Sequence, residues 1–247
     1  MSHYFLNDEN LKSEIREITV NIFDNKFIFN TDNGVFSKNK LDYGTNLLIK
    51  NVLNLPLYGE VLDLGCGYGP IGIILKKIKD VNVTMIDVNK RGIHLTKMNA
   101  KKNNVDVTVI DSLGFNNVNK SFDFIISNPP IRIGKDNLYN LINDGMSHLK
   151  NDGSMIIVIR KEHGALSFIK DMSVYYDVKT LDKDKGFLII SLKNNWLFYL
   201  IVLLIYVGDI LYSLICDLKY FIIMGWNEWL IGLLTVAIIV KEDPFQG

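Results

Sequence analysis

The stretch "VLDLGCGYGPIG", residues 61 to 72, sets glycines at 65, 67 and 69 between an apolar strand and a helix. Glycine at such a junction lets the backbone turn tightly and lets a ligand approach the amide groups. Several nucleotide-binding folds use this turn, so the spacing matters. The dinucleotide pattern G-x-G-x-x-G needs a glycine at 70, where the chain has Pro70. The phosphate loop ending in Gly-Lys-Ser/Thr is absent. What remains is D-x-G-x-G-x-G, with Asp63 inside the strand end. An acid there suits a ligand carrying a positive group rather than a pyrophosphate. The plain alternative is a glycine-rich turn that holds nothing.

Working outward, strands and helices alternate. "EVLDLG" is an apolar strand, and "PIGIILKKIK" is a helix with proline in its first turn, where a missing N–H costs nothing. "VNVTMIDV", "VDVTVID", "FDFIIS" and "GSMIIVIRK" read as further strands. "KRGIHLTKMNAKKNN", "KDNLYNLINDGMSHLK" and "GALSFIKDM" read as helices. This alternation predicts an α/β, Rossmann-like sheet, mostly parallel and covered on both faces. "VYYDVKTLDKDKGFLIISLK" holds two strands with no helix between them, which predicts an antiparallel C-terminal hairpin. Ahead of the sheet, "REITVNIFDNKFIFNTD" (16–32) predicts a β-hairpin turning around Asp24-Asn25, with a helix following from about Thr45.

Asp87 ends the strand in "TMIDVN", and Asp111 ends the next in "TVIDSL". Both belong to the carboxyl ends of strands, the side on which open α/β sheets bind ligands. Singly, each reads equally as a strand-end or cap residue. Together with Asp63 they outline a site for S-adenosylmethionine, which carries an ammonium and a sulfonium. Asp63 would orient the ammonium, directly or through water. Asp87 would accept the ribose hydroxyls and Asp111 the adenine amino group. Gly65, Cys66, Gly67 and Gly69 would form the loop beneath them.

The motifs "NGVFSKNKLDYGTNLLI", "VLDLGCGYGPIGI", "IDVN", "ISNPPIRIGK" and "KGFLIISLK" give the chain a wider resemblance. It resembles the class I S-adenosylmethionine-dependent methyltransferases over residues 14–193. More narrowly, it looks like the "small" methyltransferase domain of bacterial enzymes that methylate guanine N2 in small-subunit ribosomal RNA. The best-known members carry a degenerate second copy of the domain ahead of the active one. With one copy, this chain resembles the compact single-domain branch.

The resemblance implies roles for Asn128, Pro129 and Pro130. The lone pair of an exocyclic amine is delocalised into its ring, so the nitrogen is a poor nucleophile. Two acceptors aimed at its hydrogens, the Asn128 side-chain oxygen and the Pro129 carbonyl, would free that lone pair. The prolines restrict φ and hold the acceptors in place. Many relatives continue with an aromatic residue that stacks on a flipped base, whereas this chain has Ile131, which packs without stacking. Arg132 and Lys135 are candidates to hold RNA phosphates, or simply solvated surface residues. Phe36 is a candidate for the cofactor or base region, or a core residue. Asp42 and Gly44 match the family pattern without an assigned role. The implied partner is ribosomal RNA or the small ribosomal subunit. Methylation of another exocyclic or amide nitrogen, adenine N6 or a protein glutamine, stays open, as does a cofactor-binding protein without catalysis.

Composition separates the chain at about Asn194. The segment 195–247 holds two basic and five acidic residues among mostly apolar ones, leaving 25 basic against 22 acidic in 1–194. That small excess permits a nucleic-acid partner without arguing for one. Two cysteines and four scattered histidines indicate neither a disulfide framework nor a metal site. The start "MSHYFLNDEN" is polar, with no signal-peptide pattern, so the expected compartment is the cytosol. In the tail, "WLFYLIVLLIYVGDILYSLIC" (196–216) and "YFIIMGWNEWLIGLLTVAIIV" (220–240) approach membrane-spanning length, interrupted by Asp209 and Glu228. They predict two apolar helices. A hairpin anchored at the cytosolic membrane face, helices packed against protein, and an unselected extension are the three readings. Lys183, Lys185, Lys193 and Lys241 favour cytosolic ends for the first.

Overall fold

The computed structural model describes residues 11–195, 200, 203–215 and 219. The chain divides into two compact units, Met1–Asn195 and Trp196–Gly247.

The first unit opens with an antiparallel pair, β1 (Arg16–Ile22) and β2 (Asn25–Thr31). Ile18, Val20 and Ile22 point inward while the residues between them face outward, the period-2 pattern of a half-buried strand. Ile22 pairs with Asn25, so the turn is Phe23-Asp24, one residue earlier than expected. Phe23 takes the left-handed conformation that this tight turn needs, with φ of 49°. Helix α1 (Tyr43–Leu53) starts two residues before Thr45 because Asp42 caps it, accepting the Thr45 amide at 3.0 Å.

There follow β3 (Glu60–Leu64), α2 (Pro70–Ile78), β4 (Asn82–Asp87), α3 (Lys90–Lys102), β5 (Thr108–Asp111) and β6 (Phe122–Ser127). Then come α4 (Lys135–Ser147), β7 (Leu149–Arg160), α5 (Ala165–Met172), β8 (Tyr176–Asp184) and β9 (Phe187–Asn194). Seven strands form one sheet in the order β5-β4-β3-β6-β7-β9-β8. The first five run parallel, and β9 inserts antiparallel between β7 and β8. This is the Rossmann-like sheet with an antiparallel C-terminal hairpin that the alternation predicts.

The chain moves outward from β3 to β5, then returns to place β6 on the other side of β3. The direction of winding therefore reverses between β3 and β6, and crevices at such a reversal are where open α/β sheets take their ligands. Both faces of the sheet are covered, which is why its parallel strands read as nearly continuous apolar runs. Neighbours on β6 serve opposite sides. Ile126 joins Leu48, Ile49 and Ile74 in one core, and Ile125 joins Leu62, Ile142 and Phe168 in the other.

In the second unit, residues 203–215 are helical. Among the described residues no helix is long and apolar enough to cross a membrane. The expected span 220–240 lies outside the described residues, as does part of 196–216.

Candidate active site

The glycine loop is held by its own backbone. The amides of Gly65 and Cys66 both reach the Ile86 carbonyl at 2.9 Å, and the Gly69 amide reaches the Cys66 carbonyl at 2.9 Å. The Gly67 amide donates to Asp87 Oδ2 at 2.7 Å. These amides are therefore occupied within the protein, and a ligand would meet the open face of the loop instead. Gly65 and Gly67 have φ of 75° and 57°, and a Cβ built on either meets nothing within 4 Å. Left-handed backbone with free space above it is where only glycine fits comfortably and where a ligand can lie close to the chain. The Cys66 thiol turns away from that face. It is buried 3.7 Å from Thr96 Oγ1, and burial raises its pKa well above the ordinary thiol value.

Asp63 is fully buried. Its Oδ2 accepts the Gly72 amide at 2.9 Å, while Oδ1 has no hydrogen-bond partner among the described residues. Burial pushes its pKa up to about 7; the Gly72 amide opposes the shift and the nearby Asp87 adds to it. A lone buried carboxylate oxygen is costly unless a donor or a cation satisfies it. Asp87 is half-buried, its Oδ1 accepting the Asn89 amide at 2.8 Å while Oδ2 takes that of Gly67. Burial raises its pKa, against the lowering effect of these amides and with a further push from Asp111. Asp111 is exposed and pairs in register with Asp87 across β4 and β5. The three acids thus follow one another along the carboxyl edge of the sheet. The orphaned Asp63 oxygen, the open glycine faces and the acid row fit the S-adenosylmethionine expected from the sequence.

Beyond β3, the end of β6 is tied to the same edge, for Ser127 Oγ donates to the Leu64 carbonyl at 2.7 Å. Asn128 follows. Its Nδ2 donates to Thr45 Oγ1 at 2.8 Å and to Asp42 Oδ2 at 3.3 Å. Its Oδ1 accepts no hydrogen bond among the described residues. Pro129 is buried and Pro130 half-buried, and the Pro130 carbonyl accepts the Ile133 amide at 3.1 Å in a short 3-10 turn, Ile131–Ile133. Ile131 packs on the α4 side of the core. Arg132 is exposed. Lys135 is not a free cation: it pairs with Asp171 at 2.8 Å and lies 5.0 Å from the centre of the Tyr139 ring.

Phe36 lies in the segment between β2 and α1 and is 50% exposed, so it is not a core residue. Its segment is fastened next to Asp87: Asn89 Nδ2 donates to the Gly34 carbonyl at 2.9 Å and Arg91 Nη1 to that of Asn33 at 2.8 Å. Gly44 gains a reason too, since a Cβ there would come within 2.8 Å of the Phe187 ring. Two contributors were not picked out from the sequence. Thr45 braces Asn128, and its signal is the Asp42-x-x-Thr45 cap pattern. Asn99 donates to the Asn30 and Tyr68 carbonyls at 2.9 and 2.8 Å and accepts the Asn30 amide at 2.7 Å, fastening the hairpin to the glycine loop. Its signal is an amide side chain on the buried face of a helix.

An acid row at the carboxyl edge, a glycine loop without a phosphate-binding lysine, and Asn-Pro-Pro at the winding reversal define a Rossmann-like methyltransferase domain. Residues 26–191 match the family model described as "Methyltransferase small domain", and the chain belongs to that family. It is 38% identical over 197 residues to the Bacillus subtilis (strain 168) protein YbxB, covering 78% of this chain and 98% of that one. It is 42% identical over 130 residues to the ribosomal RNA small subunit methyltransferase C of Pasteurella multocida (strain Pm70). That match covers 51% of this chain and 39% of the Pasteurella enzyme, so the chain spans well under half of that relative's length. Among solved structures, the Thermus thermophilus 16S rRNA N2 G1207 methyltransferase in complex with AdoMet and guanosine superposes with a TM-score of 0.65 at 20% identity. It covers 75% of this chain and 52% of that chain, a likeness of fold.

Proposed function

We propose that this chain uses S-adenosylmethionine to methylate an exocyclic nitrogen of RNA, guanine N2 of small-subunit ribosomal RNA. The observation that carries the reading is the anchored amide of Asn128, whose NH2 is held by Thr45 and Asp42 while its oxygen accepts no bond among the described residues. The name of the Pasteurella relative supports small-subunit ribosomal RNA as the substrate, and that of the Thermus neighbour supports guanine N2 as the atom.

When bound, S-adenosylmethionine would supply a methyl carbon open to attack by an amine nitrogen, with the neutral thioether as the leaving group. The chain's own residues prepare the nitrogen. Asn128 Oδ1 and the Pro129 carbonyl accept the two N–H bonds and draw the lone pair out of the ring. Both acceptors are fixed beforehand, so little is lost in ordering them when substrate arrives. No strong base is needed, because the amine gives its proton to water after methyl transfer has made it cationic. Asp63 would satisfy its orphaned oxygen on the cofactor's ammonium or an intervening water, Asp87 would take the ribose hydroxyls, and Asp111 the adenine amino group. Phe36, Ile131 and Arg132 would line the base and phosphate side. Lys135 would need to leave Asp171 to hold a phosphate.

The deciding experiment incubates the full chain with methyl-labelled S-adenosylmethionine and separated ribosomal subunits, then maps the modified base. Label on guanine N2 of the small-subunit RNA is expected, and Asn128→Ala should abolish most of it while cofactor binding persists. Label on adenine N6 or on protein glutamine would shift the target. Full turnover by Asn128→Ala would remove the acceptor model.

We also take residues 1–194 as the catalytic domain, working in the cytosol, and 195–247 as a separate tail that attaches it to the membrane face. The support for attachment is the pair of apolar runs in the sequence. Recovery of the full chain in the soluble fraction after cell breakage would end that part of the proposal.

A further inference from the structure

Asn128 poses a problem of orientation. A primary amide has an oxygen on one side and an NH2 on the other, of nearly the same shape. Catalysis as proposed above requires the oxygen to face the substrate amine. With the amide turned over, an NH2 would confront an NH2, and nothing would draw on the nitrogen's hydrogens. Something in the protein has to choose between the two arrangements.

Two side chains at the start of α1 are placed to choose. Asp42 Oδ2 lies 3.3 Å from Asn128 Nδ2, and an ionised carboxylate accepts but cannot donate. The Asn128 oxygen could occupy that place only by facing another oxygen with no hydrogen between them. Thr45 Oγ1 accepts from Nδ2 at 2.8 Å, and the Thr45 hydroxyl points its own hydrogen at Asp42 Oδ2, 3.4 Å away. The hydroxyl's donor is thereby directed to the carboxylate and its lone pair to the amide. Thr45 is 5% exposed, so water competes poorly for these bonds. The same Asp42 oxygen accepts the Thr45 amide at 3.0 Å, which fixes the carboxylate relative to the helix. The brace crosses 83 residues of chain between Thr45 and Asn128.

We propose that Asp42 and Thr45 are positioning residues that hold the Asn128 amide with its oxygen, not its NH2, towards the substrate amine. The inference rests on the reading of Asn128 as the acceptor, so its test begins with a measurement that needs no substrate. In the nitrogen-15-labelled full chain, the Asn128 side-chain NH2 is assigned by its disappearance in Asn128→Asp. The wild-type amide hydrogens should exchange slowly with water. Thr45→Val should speed that exchange about tenfold or more, the loss of one buried hydrogen bond. Thr45→Ser should restore it. Asp42→Asn keeps a good helix cap but can donate as well as accept, and should give two sets of Asn128 amide signals.

In methyl transfer to small ribosomal subunits, Thr45→Val should lower kcat about tenfold with KM and cofactor affinity unchanged, and Thr45→Ser should recover it. Wild-type amide exchange in Thr45→Val would overturn the proposal. So would a weakened cofactor affinity with normal kcat, which would make Thr45 a cofactor ligand instead. A wild-type chain inactive on subunits would sink the target reading alone, and the amide signals would still decide the brace.

Discussion

Asp87 Oδ2 accepts the amide of Gly67 at 2.7 Å, so the acid that ends β4 clamps the glycine loop that follows β3. Its other oxygen holds the Asn89 amide at 2.8 Å, at the cap of α3. The Val88 backbone amide bonds this carboxylate as well. A carboxylate offers about four lone-pair directions, so one remains open to the proposed ribose contact. Asp87→Ala removes the clamp and, on the proposed reading, the ribose contact with it. Its dissociation constant for S-adenosylmethionine should rise by about tenfold to a hundredfold in calorimetry, about 1.4 to 2.8 kcal/mol. Wild-type affinity would mean that Asp87 shapes the loop and touches no ligand.

Asp63 leads to a pH prediction. Burial raises its pKa in the folded chain to about 7, from an ordinary 3.8. The protonated form is therefore favoured by folding, and the stability owed to this group falls as pH rises from about 4 to about 7, then levels. A cationic ligand beside Oδ1 favours the ionised form, so binding below pH 7 must expel a proton. Calorimetry of S-adenosylmethionine binding at pH 6, in buffers of different ionisation enthalpy, should report release of about one proton. At pH 8 it should report almost none. Asp63→Asn keeps an acceptor for the Gly72 amide and should abolish the pH dependence. Proton release that survives in that variant would assign it to another group, with Asp87 the first to examine.

Much of this site could be read from local pattern, and the rest depends on contacts that local pattern does not carry. Asp87 and Asp111 each close a short apolar run and Asp63 stands one residue before the end of another, and strand ends in a parallel sheet share one edge. The turn at Phe23-Asp24 was displaced by one residue because either register keeps Asp24 in the turn, and only the pairing of Ile22 with Asn25 distinguishes them. Lys135 looked like a free cation because its partner, Asp171, is on a different helix. Thr45 and Asn128 meet across 83 residues, and Asn99 meets Asn30 across 69. Such side-chain bridges have no period. They show in a sequence only as polar residues at positions where the helix pattern calls for burial.

Asn99 tests that last point. It is fully buried and serves three backbone groups: the Asn30 amide, the Asn30 carbonyl and the Tyr68 carbonyl. Asn99→Ala strands all three, and unsatisfied buried polar groups cost about 1–3 kcal/mol each when water cannot enter. Partial relaxation brings the expected loss to about 2–4 kcal/mol, or a fall in melting temperature of about 4–16 °C for a domain of this size. Because Tyr68 lies in the glycine loop, cofactor affinity should fall as well. A melting temperature within a degree of wild type would show that the hairpin and the loop hold their positions without this bridge.

Arg91 makes the complementary connection on the outer side of the site. Its guanidinium donates to the carbonyls of Asn33 at 2.8 Å and Leu11 at 2.7 Å, and lies 3.5 Å from Asp32 Oδ2. These bonds hold the segment that carries Phe36 against the start of α3, next to Asp87. Lysine has no planar fork to reach two carbonyls at once, so Arg91→Lys should fail to replace it. In Arg91→Met, amide hydrogen exchange over residues 32–38 should accelerate about tenfold or more, while β3, β4 and β6 stay protected. If Phe36 lines the substrate side, KM for ribosomal subunits should rise with it. Faster exchange with unchanged KM would place Phe36 outside the substrate contact and leave Arg91 a purely structural role. Unchanged exchange would mean that the Asn89 bond to Gly34 is enough to hold the segment, since that bond survives in the variant.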